Sequence, residues 1–190
     1  MNTYDFDKTI YINDSSADFF KWCFLRRPGA VIPTLPRTLI KALLYAAKRI
    51  ETKELKEQVF SFLCNLEDVD SLVECFWQEK KQGIGKWYLQ RRRDDDLVIS
   101  ASPEFLLKPI MRELGLALIA TPMDKTTGKI PGENCHDEEK VRRFYEEYPG
   151  AHTEEFYSDS LTDSPMAKIA DRAYMVNKGR LSPWPEEYLK

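Results

Sequence analysis

Asp5 and Asp7 stand two residues apart in Tyr4-Asp5-Phe6-Asp7. Side chains alternate along an extended chain, so carboxylates at i and i+2 share a side. Two unpaired neighbours of this kind repel, and the arrangement calls for a cation, a shared proton or both. Asp159 and Asp163 are the carboxylates available to extend such an acidic site. Oxygen donors in small number suit Mg²⁺, which keeps several waters and completes its shell with substrate phosphate oxygens. His136 and His152 are too few and too dispersed for a histidine-rich metal centre.

The elements that would position these groups follow from periodicity. Asn2 to Phe6 reads as a short strand, and the next is Leu97-Val98-Ile99-Ser100, bounded by Asp94-Asp95-Asp96 and Ser102-Pro103. The intervening segment is helical: Ala17 to Arg27 capped by Ser16, Thr38 to Arg49, a helix capped by Thr52, and another lined by Val69, Leu72, Val73, Phe76 and Trp77. After Leu97 the chain alternates: helix 103–114, strand 116–120, helix 138–148, strand 155–157, helix 165–172, strand 174–176. That order describes an α/β fold with a Rossmann-like parallel sheet and crossover helices. Ligands of such sheets collect beyond the carboxyl ends of the strands. Asp5 and Asp7 close the first strand, Ser100 closes the second, Asp159 follows the strand ending at Tyr157, and Lys140 lies in a first helical turn.

Composition narrows the class. A chain of 190 residues, 43% hydrophobic and 31% charged, suits one full domain with an insertion. A net charge of −3 gives no electrostatic reason to bind nucleic acid. Cys23, Cys64, Cys75 and Cys135 form no CxxC pair and read as reduced thiols of a cytoplasmic protein. The opening residues lack a secretory pattern, and Pro33, Pro36, Arg37 and Lys41 interrupt the most apolar stretch, so stable membrane insertion is not expected. Nothing sets an oligomeric state.

Four motifs in order carry a resemblance. Asp5-Phe6-Asp7-Lys8-Thr9 resembles the DxDxT nucleophile motif of haloacid dehalogenase phosphatases, and Val98-Ile99-Ser100 their hydrophobic strand ending in Ser or Thr. Lys140 and the run Asp159 to Asp163 are similar to the third and fourth motifs. The long helical segment resembles the cap of the phosphoserine-phosphatase-like branch. The resemblance implies a catalytic core over 1–14 and 92–190 and a helical cap over 15–91. It implies that Asp5 attacks phosphorus to form an aspartyl-phosphate while Asp7 acts as general acid and base. It further implies Mg²⁺ held by Asp5, Asp7 (through its carbonyl) and Asp159, with Asp163 orienting that shell, and Ser100, Ala101 and Lys140 binding the phosphate of a small phosphate ester.

Departures limit the substrate. Ser158 and Ser160 stand where glycines often flank the fourth-motif aspartate, and Ser100-Ala101-Ser102 replaces Ser-Gly-Gly, which weakens phosphoserine as substrate. Phe19, Phe20, Trp22, Phe24, Arg26 and Arg27 are read as helix packing rather than a lipid-facing patch. Arg91-Arg92-Arg93 with the three following aspartates reads as a solvated, self-compensated turn, Gly83-Ile84-Gly85-Lys86 as a turn, and Trp184 as an anchor for the C-terminal tail. The same chemistry would serve a phosphotransferase, a lipid-phosphate phosphatase at a membrane interface, or a regulatory module that binds a phospholigand.

Overall fold

A computed structural model describes residues 1–189. Its centre is a six-stranded sheet. Strands β1 (Thr3–Tyr4), β2 (Leu97–Pro103), β3 (Ala117–Thr121), β4 (Thr153–Ser158), β5 (Ala170–Asn177) and β6 (Arg180–Pro183) lie in the order β3-β2-β1-β4-β5-β6. The first five are parallel and β6 is antiparallel to β5, so the expected α/β fold is present with an added edge strand.

Helices α1 (Ser15–Arg26), α2 (Pro28–Val31), α3 (Leu35–Ala46), α4 (Thr52–Phe60), α5 (Val69–Lys80) and α6 (Lys86–Leu89) all fall between β1 and β2. Helix α7 (Glu104–Leu114) links β2 to β3, α8 (Glu138–Glu147) precedes β4, and α9 (Ser164–Ile169) precedes β5. Sheet residues alternate between two apolar cores. Tyr4, Val98 and Tyr157 face one shared with Phe19, Phe62, Phe76 and Trp77 of the helical segment, while Leu97, Ile99 and Phe156 face one with Phe144, Met166 and Trp184. A sheet covered on both faces explains the unbroken burial of residues 2–6. The two linkers of the helical segment are stitched together, Ile12 N donating to Gly83 O at 3.0 Å and Gly85 N to Ile10 O at 2.7 Å. A Cβ on Gly83 would lie 2.5 Å from the Tyr11 ring, so this crossing needs the glycine of the expected turn.

Several boundaries differ from the sequence reading. The first strand is only Thr3–Tyr4, because the chain turns away once Asp5 N has donated to Tyr157 O at 2.8 Å. Asp14, not Ser16, caps α1, accepting from Ala17 N at 2.9 Å, while the Ser15 and Ser16 hydroxyls turn to Ser102. Helix α3 starts earlier than Thr38, with Pro36 in its first turn where a missing N–H costs nothing, and ends at Ala46. Glu51 occupies the N-cap of α4, so Thr52 is inside that helix and meets Tyr45 Oη instead. The expected helix over 165–172 stops at Ile169 and β5 begins at Ala170, with neither Gly nor Pro at the junction. Strand β6 was not anticipated; its two-residue turn has positive φ at Lys178 and Gly179, the geometry of a twisted hairpin. Asp96 is buried rather than solvated, accepting from Arg93 N and Tyr88 Oη while its Oδ1 has no partner among the described residues.

Of the aromatic run on α1, Phe19 and Trp22 are buried as expected and Phe24 is exposed. Trp184 is buried and its Nε1 donates to Ser164 Oγ at 3.3 Å, anchoring the tail. The four cysteines are free thiols.

Candidate active site

The carboxyl ends of β1, β2 and β4 meet at one point. Asp5 follows β1, Ser100 and Ser102 lie in the C-terminal half of β2, and Asp159 follows β4. Helix α8 approaches from the side and inserts Lys140, only 1% exposed, into the gap. Its Nζ donates to Asp5 Oδ1 at 2.7 Å and to Asp163 Oδ2 at 2.8 Å. Asp163 also accepts from Ser158 Oγ at 2.7 Å. Burial disfavours the lysine's charge, but Asp5 and Asp163 outweigh it and hold its pKa above the ordinary value. The third-motif lysine is therefore an interior ion-pair residue.

Burial also pushes the Asp5 carboxyl above the usual carboxylate range, with Lys140 opposing and Asp163 adding to the rise. Oδ1 of Asp5 is taken by Lys140; its second oxygen accepts no hydrogen bond among the described residues. Asp7 is held differently. Ser15 N, in the first turn of α1, donates to its Oδ1 at 2.6 Å, and Ser102 Oγ donates to its Oδ2 at 2.5 Å. Burial pushes the Asp7 carboxyl up to about 6, Asp14 reinforcing this and Ser102 and Ser15 opposing it. Lys8, in the left-handed region at φ 56°, turns the chain sharply after Asp7. That turn places Thr9 Oγ1 to accept from Asp159 N at 3.0 Å.

Ser100 Oγ accepts from Ser102 N at 3.1 Å and keeps its own proton for another acceptor. Ala101 is recorded through its carbonyl, which accepts from Thr121 Oγ1 and from Lys56 Nζ, both at 2.7 Å. Lys56 comes from α4 and also donates to Asn134 Oδ1 at 2.6 Å. Burial lowers its pKa to about 8, although Asp7 and Asp14 favour its charge. Ser15, Lys56 and Asn134 were absent from the sequence reading, and Thr9 and Ser102 stood in its motifs without a side-chain role at the site. Thr9 had a signal in the Asp5-Phe6-Asp7-Lys8-Thr9 motif, and Ser102 in its place two residues after Ser100.

Among the described residues, no three His, Cys, Asp or Glu side chains converge as a preformed metal cage. The donors present nevertheless fit a hard cation: Asp5 has an uncommitted oxygen, and the half-buried Asp159 carboxylate makes no ion pair or hydrogen bond to another described side chain. Burial raises the Asp159 pKa, against Lys8 and with Asp163. A cleft of about 1120 Å³ opens beside these groups. Lys8, Thr9, Asp14 and Asp159 of the site line it. The arrangement offers one buried carboxylate with a free oxygen, a second with a pKa near neutrality, a fixed ammonium and a free hydroxyl donor. These are the parts for nucleophilic displacement at an anionic centre with proton transfer.

Comparison with known proteins agrees with this chemistry. The chain is 28% identical over 192 residues to protein CicA of Caulobacter vibrioides, spanning 93% of this chain and 86% of that protein. A shorter match of 95 residues, 39% identical, covers 45% of this chain and 33% of the probable phosphatase Rv3661 of Mycobacterium tuberculosis. A crystal structure of a protein of unknown function from Bordetella pertussis superposes with a TM-score of 0.75 at 23% identity, covering 91% of this chain and 87% of that one. The model of the haloacid dehalogenase-like hydrolases matches residues 3–168, through every strand that carries a site residue, and the chain belongs to that family.

Proposed function

We propose that the protein is a Mg²⁺-dependent phosphatase that hydrolyses a small phosphorylated metabolite through an aspartyl-phosphate on Asp5. The observation that carries this reading is the buried Lys140 bridge, which fixes Asp5 by one oxygen and leaves the other uncommitted. That oxygen attacks phosphorus, the P–O bond to the leaving group breaks, and Asp7 gives its proton to the departing oxygen. Asp7 then takes a proton from the water that attacks the phospho-enzyme and releases inorganic phosphate. A carboxyl with a pKa of about 6 serves both directions near neutral pH. Lys140 and the Ser100 hydroxyl hold the phosphoryl oxygens, and Asp163 acts through Lys140.

Asp5, the Asp7 carbonyl and Asp159 would hold Mg²⁺, which when bound offsets the repulsion between carboxylate and phosphate and stabilises charge in the transition state. The helical segment 15–91 serves as a cap over the core formed by 1–14 and 92–190, and helps to exclude water. Free, partly buried thiols support a reducing, cytoplasmic setting. Among the described residues, no helix is long and apolar enough to cross a membrane.

Hydrolysis of p-nitrophenyl phosphate by the purified chain, with Mg²⁺ and with chelator, tests the reading. Turnover is expected only with the metal and is nearly abolished in Asp5→Asn. Undiminished turnover in Asp5→Asn, or binding of phosphate esters with no turnover at any pH from 5 to 9, overturns it.

A further inference from the structure

Helix α3 packs the wrong way round for a helix in contact with water alone. No residue of it is buried, and Leu39, Ile40 and Leu43 are 64%, 58% and 64% exposed. At 3.6 residues per turn, Pro36, Leu39, Ile40, Leu43 and Ala47 fall within an arc of about 100°. Thr38, Lys41 and Tyr45 are centred on the opposite side, and these reach α4: Thr38 Oγ1 to Gln58 O at 3.5 Å, Lys41 Nζ to Glu54 at 2.8 Å, and Tyr45 Oη to Thr52 Oγ1 at 3.3 Å. The helix thus attaches through these polar contacts and, at its start, Leu35 on the core, and turns its apolar stripe outward, against the usual pattern of a surface helix. Ile32, 52% exposed in the turn leading into α3, extends the stripe.

Charge on the segment that carries the stripe is one-sided. From Phe19 to Ile50 the chain carries Lys21, Arg26, Arg27, Arg37, Lys41, Lys48 and Arg49 and no acidic residue, although the whole chain has a net charge of −3. Arg26 is paired with Glu79 and Lys41 with Glu54. Arg37, Lys48 and Arg49 form no ion pair among the described residues and remain exposed.

From this juxtaposition we infer that α3 docks on an anionic lipid bilayer, its apolar stripe in the headgroup–acyl boundary and Arg37, Lys48 and Arg49 against lipid phosphates. A basic helix with one apolar face has this preference, each basic residue near an anionic surface adding about fivefold to partitioning. The same excess of positive charge disfavours pairing of this face with a second copy of itself. At 12 residues the helix lies on the bilayer and does not cross it. It packs on α4, whose Lys56 reaches the Ala101 loop, so a docked surface stands one helix away from the active site.

Co-sedimentation of the full chain with vesicles tests this, using phosphatidylcholine alone or mixed with phosphatidylglycerol. Binding is expected to the phosphatidylglycerol vesicles, at least tenfold above phosphatidylcholine and weakened by salt. Leu39→Glu/Leu43→Glu should lower it at least tenfold and Arg37→Glu/Arg49→Glu at least fivefold, with unchanged circular dichroism because these side chains are exposed. An independent reading comes from Leu39→Trp, whose added emission should shift to the blue on phosphatidylglycerol vesicles. Absence of binding to anionic vesicles, binding indifferent to the Leu39→Glu/Leu43→Glu change, or no blue shift overturns the inference. So does a dimer that Leu39→Glu/Leu43→Glu converts to monomer without any vesicle binding, which would give the face to a second copy.

Discussion

Ser102 Oγ lies 2.5 Å from Asp7 Oδ2, across 95 residues of sequence, and ties the end of β2 to the carboxyl proposed to move protons. Together with Ser15 N on Oδ1, it leaves Asp7 one orientation. A hydrogen bond to an ionised partner contributes about 1.5 to 3 kcal/mol, which corresponds to about ten- to a hundredfold in rate.

Ser102→Ala should therefore lower kcat about ten- to a hundredfold with little change in KM. Ser102 favours the ionised form of Asp7, so its loss should move the Asp7-linked limb of the pH–rate profile upward. Ser102→Thr, which keeps the hydroxyl, should restore much of the rate. Steady-state kinetics from pH 5 to 9 reads all three, and a Ser102→Ala profile identical to wild type would show that the contact does not position Asp7.

Lys140 joins Asp5 to Asp163 in the interior, so removing its charge strands two carboxylates. Breaking a buried pair from one side costs about 3 to 5 kcal/mol. At about 2 to 4 °C per kcal/mol for a chain of this size, Lys140→Met should melt roughly 6 to 20 °C below wild type. Adding Asp163→Asn removes one stranded charge and should recover part of that loss, while phosphatase activity stays absent. Calorimetry of the single and double variants checks the stability, and recovered turnover in the double variant would contradict the role given to Lys140.

The acidic pair, Ser100, Asp159 and Lys140 were legible because each was read at a strand end or first helical turn, where local spacing fixes its place. Their arrangement follows from parallel strands ending together, a property of the topology. Ser15, Lys56 and Asn134 were illegible for the opposite reason. Lys56 sits in Thr52-Lys53-Glu54-Leu55-Lys56-Glu57, where charge reads as solvent exposure, and its partners Ala101 and Asn134 are 45 and 78 residues away. The α9–β5 junction was misplaced because Ile169-Ala170 carries no breaker, and pairing with β4 and β6 decides the conformation there. The hairpin before β6 escaped notice because Lys178 occupies a left-handed position that asparagine usually marks.

Lys56 makes a pH dependence of its own. Its pKa falls from an ordinary lysine value of 10.5 to about 8 on folding, because burial disfavours its charge. For a base lowered in this way, the neutral form favours the folded state at high pH, and that contribution is lost as pH falls through about 8. Lys56→Met does not titrate. The Tm difference, variant minus wild type, should therefore become more positive as pH falls from 9.5 to 6.5 and level off below that. Parallel melting profiles for the two proteins would place the Lys56 ammonium in contact with water instead.

The loop that carries Lys129 and Ile130 is pinned to the helical segment at Gly128. Glu57 accepts from Lys129 Nζ at 2.7 Å and Ile130 N at 3.0 Å, which draws the loop against the end of α4. Gly128 has φ +72°, and a Cβ there would stand 2.5 Å from the Phe60 carbonyl oxygen, a backbone atom without room to yield. Gly128→Ala meets both a disfavoured backbone region and this clash, so the loop must lift. Strain of this kind costs about 1 to 3 kcal/mol. Because Asn134 follows on the same stretch and holds Lys56 against Ala101, the lifted loop should also loosen the side of the site proposed to bind phosphate. Gly128→Ala should thus lower Tm and raise KM for a phosphate ester more than it lowers kcat. Gly132→Ala also has positive φ, at +97°, but its Cβ would meet nothing within 4 Å, so it should share the backbone strain and leave KM unchanged. Equal KM effects in the two variants would mean that the contact with Phe60 does not reach the site.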